Sequence, residues 1–469
     1  MSIENTHYGA AKIKELLKDC KSVYFIGIGG INMSSLAHVT HACGYRTGGS
    51  DRVATALTER ISEAGISVNY NHNAENVESY DAVVYTVAIS ADNPEYVRAG
   101  ELSLPRISRS DYLGYIMTDY VRRIGVSGMH GKSTCTSMCA EMLLHNKKDP
   151  TVLSGAELKS IGAAYCIGNK ENFVFEACEY MDSFLDFNPN VAVVLNIEMD
   201  HVDYFKSIEQ IKSSYGKFVS LAGESGVAIV NADDRDVLEA IKDYRGRVID
   251  FAVDNENASL VAKSISCERG RYSFDAYLDG ELLTRIKLSV SGYHNIYNAL
   301  AATAVGYLCG LDAKEIADGL SSFVGVSRRM DFKGKYRGAD VYDDYGHHPT
   351  EIKATLSGAR EMTDKKLVCV YQPHTYSRTS ALFDEFAGAF EACDRVIFAP
   401  IYAAREINES GVSSAQLAEQ IGSKASYATD FEDAAKQLCE CISDGDIAIV
   451  MGAGDVYKVF NYIDFDNGN

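Results

Sequence analysis

Proline is scarce in this chain: seven in 469 residues are too few for long disordered linkers, and neither a low-complexity tract nor a solenoid-type repeat is present. No run approaches the ~18 consecutive apolar residues that a membrane span requires, so no span is expected. The opening MSIENTHYGAAKIKELLKDC has no basic stretch leading into an apolar one, which excludes the pattern of a secretory leader and makes the cytoplasm the expected location. Metal-site cysteine spacing is also missing. Of the twelve cysteines, Cys135 and Cys139 lie one helical turn apart and Cys439 and Cys441 alternate, and no histidine pair completes a zinc pattern. Free, mostly buried thiols are expected, rather than disulfides or a metal.

Basic charge is in deficit. With 45 Lys and Arg against 65 Asp and Glu, the formal charge is −20. Such a field repels a phosphate backbone at long range, so nucleic acid is not an expected partner, although small phosphorylated ligands held by local dipoles stay compatible. The 46% hydrophobic and 23% charged content is that of an ordinary globular protein. The length implies about three domains, expected at residues 1–118, 119–326 and 327–469.

Short apolar runs followed by glycine and then a helix-like stretch recur along the chain, the signature of α/β units with parallel strands buried on both faces. They begin with Lys21–Ile26 before Gly27 and Val121–Val126 before Gly128, and continue at Phe173–Glu176, Val191–Ile197 and Val227–Asn231. The last group is Leu367–Tyr371, Arg395–Ala399 and Asp446–Gly454. Strong alternation over about 247–290 predicts an antiparallel hairpin beside the central sheet.

Gly128-Met129-His130-Gly131-Lys132-Ser133-Thr134 fits the short phosphate-loop form Gly-x-x-Gly-Lys-Ser-Thr; the strict eight-residue form would need glycine where Val126 stands. Glycines let backbone N–H groups face phosphate oxygens, and a helix starting near Lys132 adds unpaired N–H groups and a dipole. Lys132 would neutralise the β- and γ-phosphates, and Ser133 or Thr134 would offer a hydroxyl to Mg²⁺. Glu176 ends an apolar strand, as a metal-holding acid does, though Glu179 and Asp182 nearby keep a merely solvated strand end in contention. Asn196 to Asp203, with Glu198, Asp200 and His201, clusters acids and an imidazole at another strand end, where open α/β sheets place ligands.

Gly27-Ile28-Gly29-Gly30-Ile31-Asn32-Met33-Ser34-Ser35 is close to a dinucleotide fingerprint, with Asp51 about 20 residues on, but the third glycine is Asn32. A nucleotide-sugar diphosphate suits such a loop, and a tight strand–helix turn without a ligand stays open. Asn295 and Asn298 share one helix face, where they can cap the helix or read a base edge. Arg328 to Phe332, Asp343 to Thr350 and Tyr371 to Arg378 pack acids, imidazoles and guanidinium groups into short loops, an arrangement costly to bury without a role. A recognition surface for an amino acid and a carboxylate, facing the phosphate loop, is expected there.

Taken together and in this order, over about residues 20–455, these blocks resemble the Mur ligase family. Gly27–Gly30 with Met33-Ser34, and Asp344 to Glu351, are most similar to its alanine-adding branch, whereas the phosphate loop and the Asn295/Asn298 pair are shared across the wider superfamily. The resemblance implies an α/β chain with a Rossmann-like N-terminal domain for a UDP-sugar, a central P-loop ATPase domain and a Rossmann-like C-terminal domain. It also implies ATP-dependent ligation of L-alanine to the carboxylate of UDP-N-acetylmuramate through an acyl phosphate, with Mg²⁺ (or Mn²⁺), by a monomer or homodimer.

On that resemblance Lys132, Glu176, His201, His347 and Arg378 match catalytic positions, and Ser133, Glu176 and His201 the metal positions. Gly128, Gly131, Lys132, Ser133, Thr134, Asn295, Asn298, Arg329 and Asp344 match the ATP site, with His294 beside it. Gly29, Gly30, Ser34, Asp51 and His72 match the UDP-sugar end, and Tyr345, His347 and Arg378 the meeting point of alanine and muramoyl group. Met129 and Ser133 stand where the family usually has Thr, Asn32 and Ser35 where glycines are common, and Thr375 where many members carry Arg. The competing expectations are a sister ligase that attaches a preformed peptide, one that uses glycine or serine, an NAD-dependent oxidoreductase acting through Gly27–Gly30, and a non-enzymatic nucleotide sensor.

Overall fold

The computed structural model describes residues 3–201, 204–404 and 406–466; Asp203 of the acidic cluster lies outside them. Its strands gather into three sheets. The first holds β1 (Ser22–Ile26), β2 (Arg46–Ser50), β3 (Ser67–Asn69), β4 (Ala82–Tyr85) and β5 (Arg106–Ser108) in the order β3-β2-β1-β4-β5. Every pairing in it is parallel. All five residues of β1 are buried, which is why it is apolar without alternation. Strand order reverses between β1 and β4, so the crevice at their carboxyl ends, where Gly27–Gly30 lies, is the place such sheets offer to a ligand.

The second sheet has ten strands: β6 (Arg122–Ser127), β7 (Thr151–Leu158), β8 (Ala163–Cys166), β9 (Asn172–Glu176), β10 (Val191–Val194), β11 (Val227–Asn231), β12 (Arg247–Ala252), β13 (Leu260–Glu268), β14 (Arg271–Leu278) and β15 (Glu281–Ser291). β6 lies between β10 and β9, and all three are parallel. The loop after β6 therefore opens between the ends of β9 and β10, the strands that carry Glu176 and lead to Asn196.

The antiparallel hairpin expected over 247–290 is a three-stranded meander, β13-β14-β15. It is not a separate appendage. β13 pairs in parallel with β12 and so continues the central sheet. Two tight connections make the meander, Arg269-Gly270 and Asp279-Gly280, all four at positive φ, which matches strand twist in two-residue hairpins. A two-stranded hairpin was expected where the meander has three strands, and the first residues of the alternating stretch, 247–252, form β12 of the parallel part.

β16 (Asp331–Tyr336), β17 (Ala339–Asp344), β18 (Leu367–Tyr371), β19 (Arg395–Phe398), β20 (Ala425–Tyr427) and β21 (Ile447–Met451) form the third sheet, ordered β16-β17-β21-β18-β19-β20. Only β16 is antiparallel. The final strand β21 is inserted between β17 and β18, which distinguishes this sheet from the N-terminal one. Asp344 ends β17 and the Gln372–Arg378 stretch follows β18, so both polar blocks sit on the carboxyl edge.

The first and second sheets share one apolar cluster that includes Tyr112, Ile116, Phe175 and Phe184, with polar contacts beside it. Helix Arg109–Met117 lies against the turn at Tyr180–Asp186. There Asp186 accepts a hydrogen bond from Ser110 Oγ (2.5 Å) and pairs with His7 Nδ1 (2.5 Å). Gly114 faces the backbone of the same turn, and a Cβ there would stand 2.0 Å from Asp186 O. Replacing Gly114 with Ala is expected to destabilise by roughly 1–3 kcal/mol, the usual cost of overpacking, seen as a lower urea midpoint. An unchanged midpoint would show the seam can open without loss.

Candidate active site

The phosphate loop follows β6 directly. Gly131 caps the helix Lys132–His145 in the left-handed region at φ +85°. A Cβ there would also stand 2.6 Å from Asn298 Oδ1, so both backbone and neighbour require glycine. Asn196, just beyond β10, clamps the loop from below: its side chain accepts from His130 N–H (2.8 Å) and donates to His130 O (3.0 Å). Met129, where the family tends to have Thr, is 6% exposed and packs in the core beneath the loop. There its thioether supplies packing instead of a hydroxyl.

Lys132 Nζ turns back over the loop. It donates to Gly128 O (2.7 Å) and Met129 O (3.0 Å) and forms an ion pair with Glu179 Oε2 (3.0 Å). The Glu179 carboxylate is wholly buried and also meets His201 Nε2 at 3.2 Å. Burial opposes ionisation of both partners, but Glu179 outweighs it for Lys132, whose pKa rises, while Lys132 and His201 outweigh it for Glu179, whose pKa falls. The pair is therefore charged on both sides. Ser133 Oγ donates to Glu176 Oε2 (2.8 Å), which also accepts from Gly155 N–H (2.8 Å). Lys132 and His201 thus meet on Glu179, and Ser133 meets Glu176 in a separate pair; Glu179, in sequence only one of the acids around the strand end, joins the lysine to the histidine. Its signal was present, an acid three residues beyond Glu176, but a sequence does not show which acid the turn after β9 sends inward.

A second cluster joins the loop to the third sheet. His130 Nε2 lies 2.9 Å from Glu198 Oε2, and Nδ1 lies 3.3 Å from Glu351 Oε1. Burial works against charge on His130, but the two carboxylates outweigh it and lift its pKa to about 9. Thr350 Oγ1 donates to Glu198 Oε1 (2.6 Å), and Glu351 Oε1 also faces Arg329 Nη1 at 3.5 Å. Glu351 Oε2 accepts from His347 N–H (2.9 Å). Cations from both sides hold the Glu351 carboxyl well below its usual range despite burial. In the sequence His130 and Glu351 stand only as parts of motifs; nothing in the spacing tells that residues 221 positions apart form an ion pair.

The remaining third-sheet residues are held in place rather than loose. Asp344 accepts from Met330 N–H and Gly346 N–H, both at 2.8 Å. Tyr345 lies under two guanidinium groups, Arg328 at 4.8 Å and Arg329 at 5.4 Å from its ring centre. Burial and Arg378 push His347 down to about 4 against the opposing pull of Glu351, so it is neutral at pH 7. Arg378 reaches across to Asp200 Oδ1 with Nε (3.1 Å) and Nη2 (3.0 Å). At Thr375, where an arginine is common in the family, the hydroxyl instead approaches Ser377 Oγ at 3.1 Å.

Between the loop and the third sheet lies a cavity of about 680 Å³, bordered by Gly131, Thr134, Asn295, Asn298, Arg329 and Asp344, a volume within the range of small-molecule sites. Asn298 Nδ2 donates to Asn295 Oδ1 (3.0 Å), and Asn295 Nδ2 to Ser291 O (2.7 Å), so one amide orients the other. His294 borders the same space.

At the carboxyl edge of the first sheet the pattern is different. Asp51 Oδ2 accepts from Gly29 N–H (2.9 Å), and Gly30 caps the helix Ile31–Ala42. Ser34 is 1% exposed and its Oγ donates to Ile31 O; Ser35 Oγ does the same, while Asn32 is exposed. His72 Nδ1 lies 2.7 Å from Glu95 Oε2. That fully buried carboxylate also accepts from Tyr24 OH (2.8 Å), Ser50 Oγ (2.6 Å) and Asn76 Nδ2 (2.7 Å). Glu95 escaped sequence reasoning because it opens a helix far from the glycine loop.

Three α/β units with a phosphate loop on the middle one, facing a polar edge of the third, define the class of Mur-type ligases. Family models match on all three: the Mur ligase family catalytic domain over 22–121, the Mur ligase middle domain over 126–306, and the Mur ligase glutamate ligase domain over 328–454. The chain belongs to the Mur ligase family. It is 46% identical to the UDP-N-acetylmuramate–L-alanine ligase of Acetivibrio thermocellus, covering 94% of both chains. It is 43% identical to that of Clostridium acetobutylicum, over 94% of this chain and 96% of the relative. Among solved structures it is similar to the UDP-N-acetylmuramate–alanine ligase of Thermotoga maritima, with a TM-score of 0.79 and 27% identity over 94% of this chain and 98% of that one. A murein peptide ligase from Psychrobacter arcticus shares the fold, with a TM-score of 0.71 at 22% identity over the same shares.

Two measurements test this geometry. Glu179→Gln leaves Lys132 and His201 without their buried counter-charge while two carbonyl oxygens still hold Lys132. A loss of roughly 2–3 kcal/mol is expected, below the 3–5 of a wholly unpaired charge, and an unaltered denaturation curve would remove Glu179 from this role. The folded pKa of His130 lies above its unfolded value of about 6.5. Its ion pairs therefore contribute fully below that pH and fade as pH rises through about 9. With a chelator present, the melting-temperature gap between wild type and Glu198→Gln should narrow over that window; a gap independent of pH contradicts the pairing.

Proposed function

We propose that this chain joins L-alanine to the carboxylate of UDP-N-acetylmuramate with hydrolysis of ATP to ADP and phosphate, supplying peptidoglycan precursors in the cytoplasm as a monomer or homodimer. The observation that carries the reading is the meeting of Lys132, Ser133, Glu176, Glu179 and His201 at the phosphate loop in a chain 46% identical to a relative named for that reaction. The units are taken as residues 1–118 for the UDP-sugar, 119–326 for ATP and 327–469 for alanine.

A carboxylate is a poor acyl donor, so the muramoyl group is first phosphorylated by ATP; the alanine amine then attacks the acyl phosphate and phosphate departs. The first step builds negative charge on phosphoryl oxygens and the second on the acyl oxygen and the departing phosphate, and groups aimed there in advance lower the barrier. Lys132, released from Glu179 toward the β- and γ-phosphates, supplies one positive charge. The N–H groups at Gly131 and the first turn of the helix Lys132–His145 supply fixed dipoles. Gly128, Ser133 and Thr134 complete the loop around the phosphates.

Ser133 and Glu176 offer adjacent oxygen donors suited to Mg²⁺ or Mn²⁺, and His201, held by Glu179, stands as a second metal position. A bound ion would offset charge on the transferring phosphoryl group. Asn295 and Asn298 border the cavity where the adenine fits, and Arg329 and Asp344 close its third-domain side. Neutral His347 borders the place where the alanine amine meets the acyl group, and Arg378 and Tyr345 orient the amino acid and the acyl group. Asp51 shapes the Gly29-Gly30 loop for the diphosphate, Ser34 holds the first turn of its helix, and His72 meets the uridine end.

ADP release is expected to need both UDP-N-acetylmuramate and L-alanine. Lys132→Ala should lower turnover by about 10²–10³-fold or more without loss of the folded circular-dichroism signal. Near-normal turnover in that variant ends the loop assignment. Turnover with a tripeptide but not with alanine would move the chain to the peptide-adding ligases.

A further inference from the structure

The imidazoles of His130 and His348 and the carboxylate of Glu198 face one another between the phosphate loop and the third sheet, apart from the Ser133–Glu176 pair. Their donor atoms lie within 4.8 Å of one another, and the two rings are 5.0 Å apart, centre to centre. Residues from three places in the sequence meet here: the loop after β6, the loop after β10, and the start of helix Pro349–Arg360.

The surroundings are those of a built site. His130 presents Nε2 to Glu198 while Nδ1 faces Glu351 Oε1 at 3.3 Å. Glu198 presents Oε2 while Thr350 Oγ1 holds Oε1 at 2.6 Å. A carboxylate behind an imidazole and a hydroxyl behind a carboxylate are the partners that orient first-row metal ligands. His348 is 3% exposed; its Nδ1 lies 4.0 Å from Glu198 Oε2 and takes only a long 3.4 Å bond from Thr350 N–H, while its Nε2 has no hydrogen-bond partner. A buried imidazole with so little hydrogen bonding is costly, and a metal bond to one of its nitrogens would offset that cost.

We propose that His130, Glu198 and His348 bind a Zn²⁺-class transition-metal ion that fastens the third domain onto the phosphate loop. Two nitrogens and one carboxylate oxygen form a zinc donor set with a fourth position left open. His130 and Glu198 line the large cavity, so that position faces the space where a phosphate oxygen or water enters. Zinc bonds of roughly 2.0–2.1 Å set tetrahedral donors about 3.4 Å apart, so the three side chains draw together by about an ångström on binding. The ion displaces the His130 Nε2 proton to solvent, exchanges the His130–Glu198 hydrogen bond for two metal bonds and ties the loop to its lid. Imidazole selects it over Mg²⁺, which keeps to the oxygen donors at Glu176.

Co²⁺ serves as the spectroscopic probe, titrated into the full chain with excess Mg²⁺ present. One ion per chain is expected, with the strong visible bands of a four-coordinate nitrogen–oxygen site, no sulfur charge-transfer band, and displacement by one equivalent of Zn²⁺. Zn²⁺ alone should raise the melting temperature. His348→Asn keeps a helix-capping side chain and removes the imidazole; Glu198→Gln removes the carboxylate at a half-exposed position, so it tests the site even if the first variant fails to fold. Each should weaken Co²⁺ binding by roughly tenfold or more. Absent bands, bands unchanged in Glu198→Gln, or a sulfur band that places the ion on cysteines would each overturn the proposal.

Discussion

A single buried charge organises this molecule: the Lys132 ammonium held against Glu179 under the phosphate loop. An ammonium cannot be left unpaired in a protein interior, so the turn after β9 must bring an acid to it, and the positive φ values at Met181 and Asp182 are part of how that turn is made. Glu179 in turn holds His201, and the same segment ends at Asp186, the acceptor for Ser110 on the first unit. One charge requirement therefore reaches from the nucleotide loop to the seam with the neighbouring sheet.

The same logic governs the other side of the loop. His130, Glu198, Glu351 and Arg329 alternate in charge across the gap between the second and third sheets, and Arg378 crosses again to Asp200. These are polar contacts around a cavity rather than an apolar interface. Ion pairs and water can exchange there with little loss, so a substrate phosphate or carboxylate can replace an internal partner. That is the property a ligase needs where three substrates must enter and leave.

The loops were the legible part of the site. Gly128 to Thr134 stands out because glycine, lysine and hydroxyl at adjacent positions are what phosphate binding needs, and Glu176 because it closes an apolar strand; the structure sets Ser133 against Glu176. Glu179 and Glu95 were not legible as site residues: each is one acid among 65 acidic residues, and only its burial marks it. The meander at β13–β15 was half legible, since alternation reveals antiparallel strands but cannot tell which edge of which sheet they extend.

Local chemistry was therefore written in the sequence by itself: apolar runs that must be buried strands, glycine turns that must follow them, a lysine at a glycine-rich helix start, and the order of blocks that places the chain among the Mur ligases. Tertiary structure alone decided the pairings: Lys132 with Glu179, His130 with Glu351, Arg378 with Asp200, and β21 between β17 and β18. The reason is physical. Backbone propensity and binary pattern act over a few residues, whereas the partner of a buried charge is whichever group the packed sheets bring within a few ångströms, however far away it lies along the chain.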